Sequence, residues 1–255
     1  MAGMGSYRVE LRFYGELNDF LPLGKRGGRL TVTLKERDAI KDVIEAQGVP
    51  HTEVELILVH GEPVEFSYQV QDGDRVSVYP AFRTLDIRPV RGVRPPWEGA
   101  PRFVLDIHLG TLAGWLRLLG FDTLYRNDYQ DETLAAIAAD EGRILLTRDR
   151  GLLKRRRVVY GAYVWETDPE RQVLEVAQRY PLAPWLAPFQ RCLRCNGRLE
   201  VVSKAEVFDR LPPKTRLYYD EFGRCRSCAQ VYWKGAHFQR LQALIERLVP
   251  RAGAC

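Results

Sequence analysis

Four cysteines and three aspartates are the residues of this chain best suited to chemistry. Cys192-Leu-Arg-Cys195 and Cys225-Arg-Ser-Cys228 form two knuckles of two-residue spacing. Two such knuckles are the signature of a tetrahedral zinc site closed by four thiolates. Disulfides are the rival reading, but two-residue spacing is poor geometry for pairing within a knuckle, and a reducing cytosol opposes it. Cys255 is terminal and reads as an unpaired bystander.

The aspartates follow apolar runs. Phe103-Val-Leu105 leads into Asp106, Asp122–Arg126 is followed by Asp128 and Asp131, and Arg143–Thr147 is followed by Arg148 and Asp149. Carboxylates gathered without a built-in partner suit a hard cation such as Mg²⁺ or Mn²⁺, which is the usual equipment for hydrolysing phosphodiesters. Each acid also has a plain structural reading, as a helix cap or turn residue. Only one of Asp128 and Asp131 need reach a metal, and Asp131 is the better candidate. Arg148, Arg150, Lys154 and Arg155 come next in the chain and could hold phosphates beside the scissile bond, or form a solvated basic loop. Arg117 could reach the same place or lie on the surface.

These residues need a scaffold. Between the acidic runs lie two helical patterns, one with Leu109, Leu112, Ala113, Leu116 and Leu119, the other with Leu134, Ile137 and Ala138; they stop at Gly120 and Gly142. Strands alternating with helices form right-handed parallel crossovers, whose carboxyl ends share the sheet edge where ligands bind. Val158–Trp165 adds a fourth strand, and Asp168-Pro169 starts a third helix. Residues 102–184 are therefore expected to be a parallel-sheet α/β domain, and 185–255 a zinc-ribbon domain. Ahead of them, 1–88 reads β-β-α-β-β-β, with Asp38 as helix cap, strands at Tyr7–Tyr14, Leu30–Leu34, Val54–Val59, Pro63–Phe66 and Arg75–Tyr79, and Asp72-Gly73-Asp74 as a turn. The Pro- and Gly-rich stretch 89–101 reads as a linker.

Charge is unevenly spread. Residues 189–255 carry 13 Lys/Arg against 6 Asp/Glu, +7 of a net +5, while 1–100 are slightly acidic and 101–188 neutral. The C-terminal quarter could thus attract a polyanion such as RNA. Aromatics around the second knuckle (Tyr218, Tyr219, Tyr232, Trp233 and Phe238) could stack bases, though a small zinc domain also needs them for its core. No apolar stretch approaches a membrane span, and the N-terminus lacks the features of a signal peptide, so a cytoplasmic protein without membrane contact is expected.

The order and turns of the first segment resemble the β-grasp, ubiquitin-like fold, closest to sulfur carriers. Those carriers end in a free Gly-Gly, whereas here the last strand continues through Pro80-Ala-Phe-Arg-Thr84. A docking or positioning module is expected instead, with a protein as its possible partner. Phe103-Val-Leu-Asp-Ile-His-Leu-Gly110, Trp115–Asp122, Leu145-Leu-Thr-Arg-Asp-Arg150 and Val231-Tyr-Trp-Lys-Gly-Ala-His237, in this order, resemble the Mut-seven C-terminal RNase domain, a PIN-like nuclease fold preceded by a ubiquitin-like domain. The resemblance implies a metal-dependent ribonuclease in which Asp106, Asp131 and Asp149 hold Mg²⁺ or Mn²⁺ and a zinc ribbon assists RNA binding. The chain departs from the family at Thr111 and Gly114, where basic residues are common. The rival function is a degenerate nuclease that grips RNA without cutting it.

Overall fold

The computed structural model describes residues 6–81, 92–95, 97–235 and 237–248, with the backbone alone at 237–240. Residues 89–91 and 96 of the linker expected at 89–101, and Cys255, lie outside the described residues.

The N-terminal domain is ubiquitin-like. Its strands are β1 (Tyr7–Phe13), β2 (Arg29–Leu34), β3 (Val54–Val59), β4 (Glu62–Pro63) and β5 (Arg75–Pro80), in the order β2-β1-β5-β3-β4. β1 and β5 run parallel, while the remaining pairs are antiparallel. Alternation along β1 puts Val9, Leu11 and Phe13 on the inner face, where Ile40, Val43 and Ile44 of α1 (Ile40–Ala46) cover them. Two expectations need correction. Ala39, not Asp38, occupies the N-cap of α1; the Asp38 carbonyl instead accepts from Val70 N. The strand expected at Pro63–Phe66 ends at Pro63, because the chain turns back on itself through the Tyr68 N to Glu65 O bond.

The second domain is the parallel α/β unit. β6 (Phe103–Leu105), β7 (Thr123–Tyr125), β8 (Ile144–Thr147) and β9 (Gly161–Tyr163) form an all-parallel sheet in the order β7-β6-β8-β9. Both faces are buried, as the unbroken apolar runs require. Phe103, Leu105, Ile144 and Leu146 pack against α2 (Gly110–Leu118) and α5 (Pro169–Arg179), whereas Val104 and Leu145 meet α3 (Asp131–Asp140) and α4 (Arg150–Leu153). Gly120 ends α2 with φ +103°, and a side chain there would run into the Ala187 carbonyl. Asp168 caps α5 as expected.

The cysteine segment adds a three-stranded antiparallel sheet of β10 (Leu199–Val202), β11 (Phe222–Cys225) and β12 (Val231–Trp233). Two short helices, α6 (Lys204–Val207) and α7 (Pro213–Tyr218), connect β10 to β11, and Val207, Leu211, Phe222 and Val231 make its small core. It is not self-contained: α8 (His237–Leu248) returns Leu241, Leu244 and Leu248 to the α/β core beside α5. The boundary expected near 184 is thus crossed by shared packing.

Both neighbours cover the ends of the parallel sheet. At β9, the Tyr163 amide donates to Glu53 Oε1 of the ubiquitin-like domain at 2.7 Å. Glu53, 1% exposed, also pairs with Arg179 at 2.5 Å. Burial opposes the charge on Arg179, but the Glu53 carboxylate outweighs it and holds the guanidinium pKa above its ordinary value. His51 Nε2 reaches the Val158 carbonyl at 2.8 Å, and Arg94 bonds Thr52 O and Glu55. At the opposite side, the Thr123 amide of β7 donates to Asn196 Oδ1 of the first cysteine knuckle at 3.0 Å. No helix among the described residues is long and apolar enough to cross a membrane.

Candidate active site and metal cluster

The parallel topology places the ends of β6, β7 and β8 on one edge, and the expected acids follow those ends. Asp106 comes directly after β6 and is 7% exposed. Its Oδ1 accepts from Ile107 N at 2.5 Å, capping a short 3₁₀ turn, and its Oδ2 accepts from the Thr147 hydroxyl at 2.8 Å. The same hydroxyl accepts from Asp149 N at 2.9 Å, while Asp149 Oδ1 accepts from Gly151 N at 2.6 Å and caps α4. Thr147, fully buried at the end of β8, therefore ties the two acids together across adjacent strands. Sequence reasoning missed it; the only signal was a hydroxyl closing an otherwise apolar strand.

Capping and metal binding are compatible here. Each carboxylate oxygen has two lone pairs, so one hydrogen bond per oxygen leaves acceptor capacity at the edge. The other acids are placed differently. Asp131 is the first residue of α3, after Gln130 as N-cap, and its carboxylate lies 3.6 Å from Arg155. Asp128 pairs with its neighbour Arg126 at 2.6 Å on the surface. Among the described residues, only the four cysteines form a group of three or more donors placed to hold one metal ion. The structure thus links Asp106 with Asp149, and does not gather Asp131 or Asp128 with them. The link runs from the Asp106 carboxylate to the backbone N of Asp149, whose own carboxylate turns to Gly151 N; carboxylates with water and substrate phosphate completing the shell are the donor set Mg²⁺ takes.

The four basic residues expected to meet RNA all have protein partners. Arg148 donates to the carbonyls of Trp165 and Glu166. Arg155 pairs with Glu132 and Asp131. Arg150 and Lys154 donate to Phe20 O and Glu45 O of the ubiquitin-like domain at 3.0 and 2.6 Å. Arg117 is buried rather than on the surface or at the acidic edge: it donates to the carbonyls of Thr123 and Leu193, and burial lowers its pKa.

The thiolates do assemble. Sγ atoms of Cys192, Cys195, Cys225 and Cys228 all lie within 4.8 Å of one another, with Cys192–Cys228 and Cys195–Cys225 at 3.5 Å. Tetrahedral zinc with bonds of about 2.3 Å sets its sulfurs roughly 3.8 Å apart, and no disulfide is formed. The knuckles share a backbone pattern. Asn196 N donates to Cys192 O and Ala229 N to Cys225 O, with Asn196 and Ala229 at φ +66° and +58°. At Gly197 a Cβ would meet Ser227 Oγ at 2.6 Å, so no larger residue fits between the knuckles. Burial pushes the Cys192 thiol up, but hydrogen bonds from Tyr232 and the backbone at 194–195 prevail and bring it down to about 7, whereas burial and the neighbouring sulfurs push Cys195 up to about 12.

The first knuckle is fastened to the amino-end edge of the sheet. Asn196 Nδ2 donates to Asp122 Oδ1, which also receives Arg143 Nη1 at 2.8 Å, and Arg191 pairs with Asp122 Oδ2 at 3.2 Å. Asp122 precedes β7, so the cluster sits across the sheet from Asp106 and Asp149.

Residues 101–245 match the family model described as the Mut7-C RNAse domain, and residues 6–86 match Mut7-C ubiquitin. The chain belongs to the Mut7-C RNase family. The Mut7-C match runs through both cysteine knuckles and into α8, as the shared core does. Membership of this RNase family supports a nuclease with RNA as substrate. No curated protein and no solved structure matches the chain.

Proposed function

We propose that this protein is a metal-dependent ribonuclease that hydrolyses RNA phosphodiester bonds at the edge carrying Asp106 and Asp149. The reading is supported by the Asp106–Thr147–Asp149 connection in a Mut7-C RNase domain, since ligands of parallel sheets bind beyond the carboxyl ends of the strands that these two acids follow. Asp106 and Asp149 would hold a divalent cation, with Asp131 approaching when RNA and metal are present. When bound, the cation would neutralise the attacked phosphate and acidify a water. The chain's own contribution is orientation: Ile107 N and the Thr147 hydroxyl fix the Asp106 carboxylate, and Gly151 N fixes that of Asp149. The preorganised site then spends little energy on ordering side chains.

The four thiolates would hold a structural zinc, in a reducing compartment such as the cytoplasm. The surplus charge of 189–255 supports a part in RNA binding, through exposed residues such as Arg194, Arg198, Arg210 and Lys214. One observation favours the rival, an RNA binder that does not cut: Asp131 pairs with Arg155 instead of joining the other acids. The deciding experiment incubates purified protein with labelled single-stranded RNA and Mn²⁺, Mg²⁺ or EDTA. Cleavage restored by either ion and abolished by EDTA supports the enzyme; binding without cleavage under every condition supports the rival.

A further inference from the structure

Arg150 follows Asp149 directly and opens α4, the four-residue helix that Asp149 caps. Its guanidinium lies at the junction of the two domains, between Phe20 of the ubiquitin-like domain and Tyr163 and Trp165 at the end of β9. Besides its bond to Phe20 O, its central carbon lies 5.1 Å from the Phe20 ring, 5.5 Å from Trp165 and 5.7 Å from Tyr163. Phe20 in turn meets Trp165 and Tyr163 edge-on, at 5.0 and 5.8 Å. At the far end of α4, Lys154 Nζ bonds Glu45 O. Both ends of the helix are thus tied to main-chain carbonyls of the N-terminal domain. A helix this short has no stability of its own, so its attachments decide where it sits. Gly151, which orients the Asp149 carboxylate, is inside it.

We propose that the ubiquitin-like domain is a positioning module for the candidate active site, clamping α4 through Arg150 and Lys154 and thereby aiming Asp149. Arg150 is a positioning residue acting through Asp149, not an RNA contact. The catalytic consequence rests on the ribonuclease reading above, whereas the clamp itself does not.

The test uses the full chain and the variants R150A, R150K and K154M, with RNA cleavage kinetics and amide hydrogen exchange over 148–154. For R150A, kcat should fall about 10- to 100-fold with KM within about twofold, since misplacing a reacting group by an ångström costs that much. Exchange at 148–154 should speed up. R150K should recover part of both, because Lys keeps a cation over the rings but loses the planar fork. K154M should show a smaller change of the same kind, and it keeps the clamp testable if R150A does not fold. A raised KM with unchanged kcat would make Arg150 an RNA contact and overturn the proposal, as would unchanged kcat and exchange in all variants. If the wild type cuts no RNA, the ribonuclease reading fails while exchange alone judges the clamp: faster exchange in the variants upholds it, unchanged exchange overturns it.

Discussion

Asp106 shows how one side chain serves two purposes without conflict. As a cap it satisfies Ile107 N, and as an edge acid it meets the Thr147 hydroxyl. The hydroxyl has one proton, given to Asp106, and takes one from Asp149 N. Replacing Thr147 by Val deletes both bonds at nearly constant shape. It leaves a buried carboxylate oxygen and an amide without partners, a loss of about 1–3 kcal/mol. We expect T147V to lower the melting temperature and cut RNA cleavage at least tenfold, while T147S keeps most of both; thermal unfolding and initial rates check this. Asp106→Asn should act on rate more than on stability. Its amide still accepts from Ile107 N, yet it removes the charge a cation needs, so cleavage should drop by orders of magnitude while folding persists. Undiminished cleavage by D106N would remove the residue from the site.

Elements divide into those that sequence periodicity betrays and those that need the assembled molecule. The four strands and three main helices of the α/β domain were legible, because apolar runs such as Phe103–Leu105 and the Leu112/Leu116 spacing have only one use in a buried parallel sheet. The knuckles were legible from spacing alone. Short pieces were not: β4 shrinks to two residues because the chain turns back through Tyr68 N to Glu65 O, and Ala39 takes the cap while the Asp38 carbonyl accepts from the distant Val70 N. Which of the acids are connected was not legible, since Thr147 and Arg155 decide that through side chains far apart in sequence. Asp122 was read only as part of a strand, yet it joins β7 to the first knuckle. Burial raises its carboxyl, but hydrogen bonds from Arg143 and Asn196 and the charges of Arg143 and Arg191 carry it below the usual value. Its contribution is therefore complete above the unfolded Asp pKa of about 3.9 and is lost as pH falls through the lower folded value. Asp122→Asn removes the carboxylate shared by Arg143 and Arg191, of which Arg143 keeps Glu141, and should cost about 1–3 kcal/mol at pH 7. Denaturant titrations should show the gap from wild type closing below about pH 4. Chelation of zinc at neutral pH should release the same joint. Melting should fall, and the Thr123 amide, held by Asn196, should lose protection from exchange; a chelated protein with unchanged melting would show that the cluster is not structural.

At the scale of the whole molecule, charge and contact are separated. The basic surplus lies in the C-terminal quarter, whereas the N-terminal domain is fastened to the α/β domain by Glu53, Arg150 and Lys154. Because α8 belongs to the shared core, removing residues 189–255 would damage the nuclease fold, so their part in binding is better judged by substitution. Changing Arg194, Arg198, Arg210 and Lys214 to Gln should weaken RNA binding at low salt and flatten the salt dependence by about 0.7 of a log unit per lost phosphate contact. An unchanged slope in filter-binding titrations would assign that charge to solubility alone. The two side-chain bonds at the sheet's outer strands, Glu53 at β9 and Asn196 at β7, bear on how the chain is made. Bare outer strands template pairing with other molecules. Synthesis runs from the N-terminus, so the ubiquitin-like domain can fold first and offer its carboxylate to β9 when that strand leaves the ribosome. The knuckle that covers β7 is made after the whole sheet. If its cysteines hold zinc as proposed, a newborn chain awaiting the metal carries one sheltered flank and one sticky one, and metal supply becomes a determinant of how much of it aggregates.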